Sequence, residues 1–199
     1  MGRSSHRGSL RRRLEDYCLK RSTLLDDVPV AFIGVGAMCE AMIGELLWHK
    51  LVARSAITVA DLRPERLKET NDLFLIQAAY DNCVAVHKVH ILVLSVKPQV
   101  LVTVCVDLNE KLRPSTLVLS IVMCVRIYSI SGGLMHTSIV RTMPNIPAQV
   151  GGGMTIWFAT DMQRAQVGAV SVSSCMCGTR RSSTRRPLLE RSGRRMCFY

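Results

Sequence analysis

The apolar positions of this chain change period from one segment to the next. "VPVAFIG", from Val28, is a short unbroken apolar run that stops at a glycine, the pattern of a strand buried on both faces of a parallel sheet. "AMCEAMIGELLWHKLV" follows, with apolar residues at 38, 42, 43, 46, 47 and 51, the spacing of one helical face. "AITVAD" predicts a second strand, and "RPERLKETNDLF" a polar helix with proline in its first turn. A weaker third strand is expected around Ile76–Tyr80. "HILVLSV" is the most strand-like run, Pro98 opens a helix towards Leu112, and "STLVLSIV", "SIVRTM" and "GMTIWFA" read as three further strands. Strands alternating with short helices predict an α/β fold: a doubly wound, mostly parallel sheet with helices on both faces and right-handed crossovers.

That periodicity runs from Val28 to about residue 170. From Ser171 onward Ser, Arg, Cys and Gly dominate and apolar periodicity stops. Three segments are therefore expected: a basic, disordered extension over 1–27, a folded domain over 28–170, and a basic, disordered Arg/Ser/Cys-rich tail over 171–199. A chain of 199 residues, 48% hydrophobic, suits one domain with a substantial core.

Charge changes this picture little. The formal net charge of +11 splits into +3 over 1–27, +6 over 171–199 and only +2 over the middle. The basic excess belongs to the ends, which argues against a nucleic-acid-binding body. No apolar run approaches the roughly 20 residues a membrane span needs. The N-terminus is rich in Arg and Ser, as transit peptides are, but Glu15 and Asp16 count against that reading. Eight cysteines form no Cys-x-x-Cys pair and no Cys/His cluster with zinc-ligand spacing. The expectation is a reduced, cytoplasmic protein without a structural metal.

Three motifs carry chemistry. The first is Gly34-Val35-Gly36, between the first strand and the first helix. Gly34 permits the tight turn, and Gly36 lets a pyrophosphate approach the backbone at the helix N-terminus, where free N–H groups favour anions. Asp61, 27 residues beyond Gly34, closes the second strand, close to the expected ribose contact of a dinucleotide. A carboxylate there suits the ribose hydroxyls of NADH, whereas Arg63 or Arg66 suits the 2′-phosphate of NADPH; the residues leave both open. The second motif is Ser95-Val96-Lys97-Pro98-Gln99 at the end of the "HILVLSV" strand, the edge at which open parallel sheets bind ligands. The third is Arg141-Thr142-Met143-Pro144-Asn145-Ile146-Pro147-Ala148, a rigid loop whose Asn145 offers both a donor and an acceptor.

In this order and spacing the motifs resemble the pyrroline-5-carboxylate reductase family over roughly Val28 to Thr160, in "FIGVGAMCEAMIG", "ILVLSVKPQV", "LRPSTLVLSIV" and "IVRTMPNIPAQVGGGMT". The resemblance implies a Rossmann-type NAD(P)H-dependent oxidoreductase that reduces 1-pyrroline-5-carboxylate to L-proline. It implies that Ile33, Gly34, Val35, Gly36, Ala37 and Met38 carry the phosphates. It places Asn82, Ser95, Val96, Lys97 and Pro98 along the rest of the cofactor, which joins them to Asp61, Leu62 and Arg63 at the end of the second strand as cofactor-binding candidates. Met143, Pro144 and Asn145 are the candidates nearest the nicotinamide and substrate; no catalytic residue is assigned.

The chain also departs from that pattern. Cys39 stands where the family usually has glycine, and Met123-Cys124 where it has an alanine–glycine pair. Leu75 occupies an expected turn glycine, and His90 a position where a strand-leading aspartate is common. The family continues into a helical domain that forms its homo-oligomer and binds the substrate carboxylate. Nothing in residues 171–199 resembles it, so the expectation is a truncated, poorly active or inactive reductase. The alternatives are another dehydrogenase of the beta-hydroxyacid type, or a non-catalytic fragment that binds dinucleotide or nucleic acid.

Overall fold

The buried strands form because their residues are apolar on both faces, and the helices form where one stripe of each can cover them. The computed structural model describes residues 28–144 and the strand at 155–159. The strands are β1 (Val30–Ile33), β2 (Ile57–Ala60), β3 (Gln77–Ala79), β4 (Ile91–Leu94), β5 (Leu117–Ser120), β6 (Ile139–Pro144) and β7 (Thr155–Ala159). The helices are α1 (Ala37–Trp48), α2 (Pro64–Phe74), α3 (Asn82–Ala85), α4 (Leu101–Leu108) and α5 (Ile127–Leu134). Every strand expected from the apolar pattern is present.

The sheet order is β3-β2-β1-β4-β5-β6-β7. Strands β1 to β6 pair in parallel, and β7 returns antiparallel against β6. β1 is central, with Val30 in register with Ile57 on one side and Ile91 on the other. All four residues of β1, β4 and β5 are buried. Their side chains alternate between two core layers. Phe32, Val59 and Val93 pack with Met42, Ile43, Leu46 and Leu67 of α1 and α2. Ala31, Leu92 and Leu94 pack on the other face with Val104, Leu108, Ile130 and Leu134 of α4 and α5. The doubly wound fold follows from this division.

Three elements differ from expectation. The helix opened by Pro98 begins as a 3-10 turn (Pro98–Val100), and α4 stops at Leu108, not near Leu112. Leu108 is its last fully buried residue, and Glu110 takes φ 58°, which no helix continues through. α3, a single turn, was not expected; Asp81 caps it by accepting the Cys83 N–H at 2.7 Å. α5 was also missed, because "IYSISGGL" holds two glycines, each costing about 1 kcal/mol in a helix. Ile130 and Leu134, one turn apart and at most 1% exposed, contribute about 1.5–3 kcal/mol each on burial and outweigh that cost.

The unusual residues at turns are also in place. Leu75 ends α2 with φ 54°, in the left-handed region that normally takes glycine, and its N–H donates to the Asn71 carbonyl at 2.7 Å. Cys124 takes φ 58° just after β5. The expected segment boundaries at 27 and 170 lie outside the described residues.

Candidate functional site

Parallel strands β1, β2 and β4 end at one edge of the sheet. The chain leaves β1 for β2 over one face and reaches β4 over the other, which opens a crevice at the end of β1. The turn that fills this position is tightly specified. Gly34 has φ +91°, and a Cβ built on it would lie 2.8 Å from the Ser95 carbonyl oxygen and 2.8 Å from Val96 Cγ1. Only glycine lets β1 pass so close to the end of β4. The Gly34 N–H donates to the Ala60 carbonyl at 2.8 Å, which ties the turn to β2 as well.

Gly36 differs in kind. It is the residue before α1, and a Cβ built on it meets nothing within 4 Å. The first hydrogen bond of α1 runs from the Glu40 N–H to the Gly36 carbonyl, so the N–H groups of Ala37, Met38 and Cys39 begin the helix without an intrahelical partner. Ala37 is exposed and Met38 half-buried. Open space above a helix N-terminus whose N–H groups are free is the arrangement that holds a pyrophosphate. The residues present therefore fit a dinucleotide.

Ile33 and Val35 are buried, and neither backbone polar group of Val35 is free. Its N–H donates to Asp61 Oδ2 at 2.7 Å, and its carbonyl accepts from Arg63 Nη2 at 3.1 Å. Asp61 lies just past the end of β2. Its Oδ1 accepts the Arg63 backbone N–H and Nε, each at 2.9 Å, and its Oδ2 also accepts Arg63 Nη2 at 2.9 Å. Burial pushes the Asp61 carboxyl up, but the Arg63 guanidinium and the Val35 and Arg63 N–H groups outweigh it and hold the group below the usual carboxylate value. Leu62 beside it is exposed. Arg66 is engaged elsewhere, paired with Glu40 of α1 and Glu69 of its own helix.

Ser95 closes the site from the β4 side. Its N–H donates to the Ile33 carbonyl at 2.9 Å, and its hydroxyl lies 2.5 Å from the Gly34 carbonyl and 3.2 Å from that of Ile33. Burial pushes the pKa of the nearby Cys39 thiol up to about 12. Cys39 is thus accommodated as a neutral, fully buried side chain where a glycine was expected. Lys97 and Pro98 are exposed at the turn that follows. Asn82 opens α3 after β3, half-buried, with its Nδ2 donating to Asp107 Oδ2 at 3.3 Å.

Farther along the edge, the Ile121 N–H donates to the Leu94 carbonyl at 3.0 Å, and Met123 and Cys124 stand exposed beyond β5. Arg141 on β6, beside Ser120, has a buried Nε without a hydrogen-bond partner among the described residues; burial lowers its pKa and the nearby Cys124 opposes that. Met143 is 41% exposed near the end of β6, and Pro144 is its last residue. Asn145 lies outside the described residues. Among the described residues there is no cluster of His, Cys, Asp or Glu that holds a metal, and no helix long and apolar enough to cross a membrane.

This edge defines a Rossmann-type dinucleotide-binding domain. A family model described as "NADP oxidoreductase coenzyme F420-dependent" matches residues 29–123. Across about two thirds of its length the chain is similar to pyrroline-5-carboxylate reductases. It is 35% identical over 136 residues to the pyrroline-5-carboxylate reductase of Synechocystis, covering 68% of this chain and 50% of that protein. The structure of the Coxiella burnetii pyrroline-5-carboxylate reductase superposes with a TM-score of 0.71 at 26% identity, over 75% of this chain and 57% of that one. A Plasmodium falciparum pyrroline carboxylate reductase with NADP bound shares the fold with a TM-score of 0.67 at 21% identity, over 77% of this chain and 56% of that one. The chain spans about half the length of the curated relatives it matches.

Proposed function

We propose that the chain is the dinucleotide-binding part of a pyrroline-5-carboxylate reductase, acting in the cytoplasm, with NADPH or NADH at the edge formed by Gly34 to Met38, Asp61 to Arg63 and Ser95 to Pro98. The observation that carries this is the pairing of a closed Gly34 with an open Gly36. One glycine is demanded by the fold, and the other leaves unfilled space over the free N–H groups of α1. Bound there, the reduced nicotinamide supplies a hydride to the imine carbon of 1-pyrroline-5-carboxylate while the ring nitrogen gains a proton, giving L-proline. The protein's share is positioning and electrostatics. Arg141, Cys124 and Met143 are the described side chains nearest the expected nicotinamide end, and none is placed as a proton donor. Cys124, in the left-handed region where the resembled family has glycine, is expected to lower activity at the nicotinamide end while cofactor binding stays intact.

The test is a fluorescence titration of purified chain with NADPH and NADH, beside a steady-state assay with 1-pyrroline-5-carboxylate. Saturable binding that is lost in a folded Gly36→Asp variant supports the reading, since that side chain enters space the fold does not use. Binding that survives Gly36→Asp, or no binding by the parent chain, overturns it. Turnover equal to that of a full-length relative overturns the expectation of low activity.

A further inference from the structure

The two faces of the sheet carry different helix surfaces. On one, the exposed positions of α2 include Glu65, Lys68, Glu69 and Asp72, an ordinary solvated helix. On the other, the exposed positions of α4 are Val102, Thr103, Val106 and Asp107, and those of α5 are Tyr128, Ser129, Gly132 and Gly133. Asp107 is the one charged residue in this set, and it turns towards α3, where it accepts Asn82 Nδ2 at 3.3 Å. Val102 and Val106 are 72% and 70% exposed, and Tyr128 is 66% exposed. A contiguous uncharged face of this kind marks a contact surface.

α4 and α5 lie side by side and run in the same direction, because each leads from one parallel strand to the next. Their close approach explains Gly133, since a Cβ built there would lie 3.0 Å from Cys105 Cβ. It does not explain Gly132, where a Cβ meets nothing within 4 Å. A second glycine weakens this short helix and serves no contact among the described residues. It leaves a flat place on the helix surface, four residues beyond Tyr128 on the same side.

We propose that this face binds a second copy of the chain, with α4 and α5 of one copy laid antiparallel on those of the other about a two-fold axis that crosses both helices. In a two-fold contact residue i meets j and j meets i. The positions four apart on each helix then exchange places. Val102 meets Val106 of the second copy, and the Tyr128 ring lies over Gly132 of the second copy, where no side chain obstructs it. Charge favours a second copy over a charged partner. The chain carries +11 overall, so most encounters between copies are repulsive. This face sets no like charges against each other, and it offers an acidic or basic partner nothing to pair with. Each helix has 8 residues and is about 12 Å long, so the contact falls short of the about 800 Å² per partner of a standard interface. The dimer is therefore reversible, with a dissociation constant in the micromolar range. It does not depend on the nucleotide reading, because none of these residues belongs to the candidate cofactor site.

Sedimentation equilibrium of the full chain, from low micromolar to near-millimolar concentration, tests this, and a monomer–dimer equilibrium is expected. Val106→Asp and Val102→Lys, each at an exposed position, weaken the dimer by on the order of tenfold or more, because each sets a charge against an apolar partner. Mixing the two variants restores it, since the introduced ammonium then faces the introduced carboxylate. Leu73→Asp, the same exchange at a 65% exposed position of α2, leaves the dimer unchanged. Far-ultraviolet circular dichroism confirms that each variant is folded. A monomer at every concentration, which an occupant from within the same chain would also give, overturns the proposal, as does a dimer that survives both variants. A mixture that recovers no dimer overturns the antiparallel arrangement.

Discussion

The Ser95 hydroxyl lies 2.5 Å from the Gly34 carbonyl oxygen, joining the end of β4 to the turn that leaves β1. The residues are 61 positions apart in the chain, and this bond fixes the shape of the candidate phosphate cradle. Replacing Ser95 with Ala removes the bond, while the backbone link from the Ser95 N–H to the Ile33 carbonyl remains. The expected loss is about 1 kcal/mol in urea unfolding, with a several-fold weaker NADPH affinity. An unchanged affinity at reduced stability would show that the bond serves the fold alone.

Leu75 ends α2 in the left-handed region and is 71% exposed, so it contributes strain and little burial. Leu75→Gly is expected to stabilise the chain by about 1 kcal/mol in the folded state, partly offset by greater freedom of the unfolded chain. A rise in Tm of a few degrees checks it. Cys124→Gly relieves the same strain at φ 58°. It also tests whether the exposed thiol obstructs the nicotinamide end, read as tighter binding of NADPH with no change in the affinity for adenosine 2′,5′-bisphosphate.

The Asp61 carboxyl is held below its ordinary value in the folded chain. Because the folded pKa is depressed, its contribution to stability is fully present above the unfolded value of about 3.9 and is lost as pH falls through the folded one. Acid unfolding of the parent chain is therefore expected to steepen below about pH 4. In Asp61→Asn this component is absent, and stability changes less with pH over that range. Identical acid transitions for the two proteins would contradict the assignment.

Thiol accessibility separates the four cysteines among the described residues. Cys124 is exposed, whereas Cys39 and Cys105 are buried and burial raises the pKa of both. Alkylation with iodoacetamide at pH 8, mapped by mass spectrometry, is expected to modify Cys124 first and to leave Cys39 and Cys105 unmodified until denaturant is added. Labelling of Cys39 at the rate of Cys124 would show that α1 does not pack as described.

β1, β4 and β5 were legible because each is a short apolar run buried on both faces, whereas β3, with Gln77 exposed, left only a weak pattern. α5 was not, because its stability comes from Ile130 and Leu134 meeting a sheet whose position only the folded chain defines. In the site, Gly34, Gly36 and Asp61 could be found from spacing alone. The engagement of both Val35 backbone groups could not, since it depends on where the Asp61 and Arg63 side chains turn. The same holds for the pairing of Arg66 with Glu40, a residue of a different helix. The departures at Leu75 and Cys124 were visible as residues in glycine positions, and their positive φ angles supply the physical meaning.

The turn after β1 hangs from the most enclosed strand of the sheet. The Gly34 N–H bonds Ala60 of β2, and the Ser95 N–H reaches back to Ile33 of β1. Amides bonded across central strands exchange with solvent chiefly through global unfolding. Deuterium should therefore enter the Gly34 and Ser95 amides as slowly as it enters β1 itself. The cradle would then persist for as long as the native state does, with or without a nucleotide to fill it.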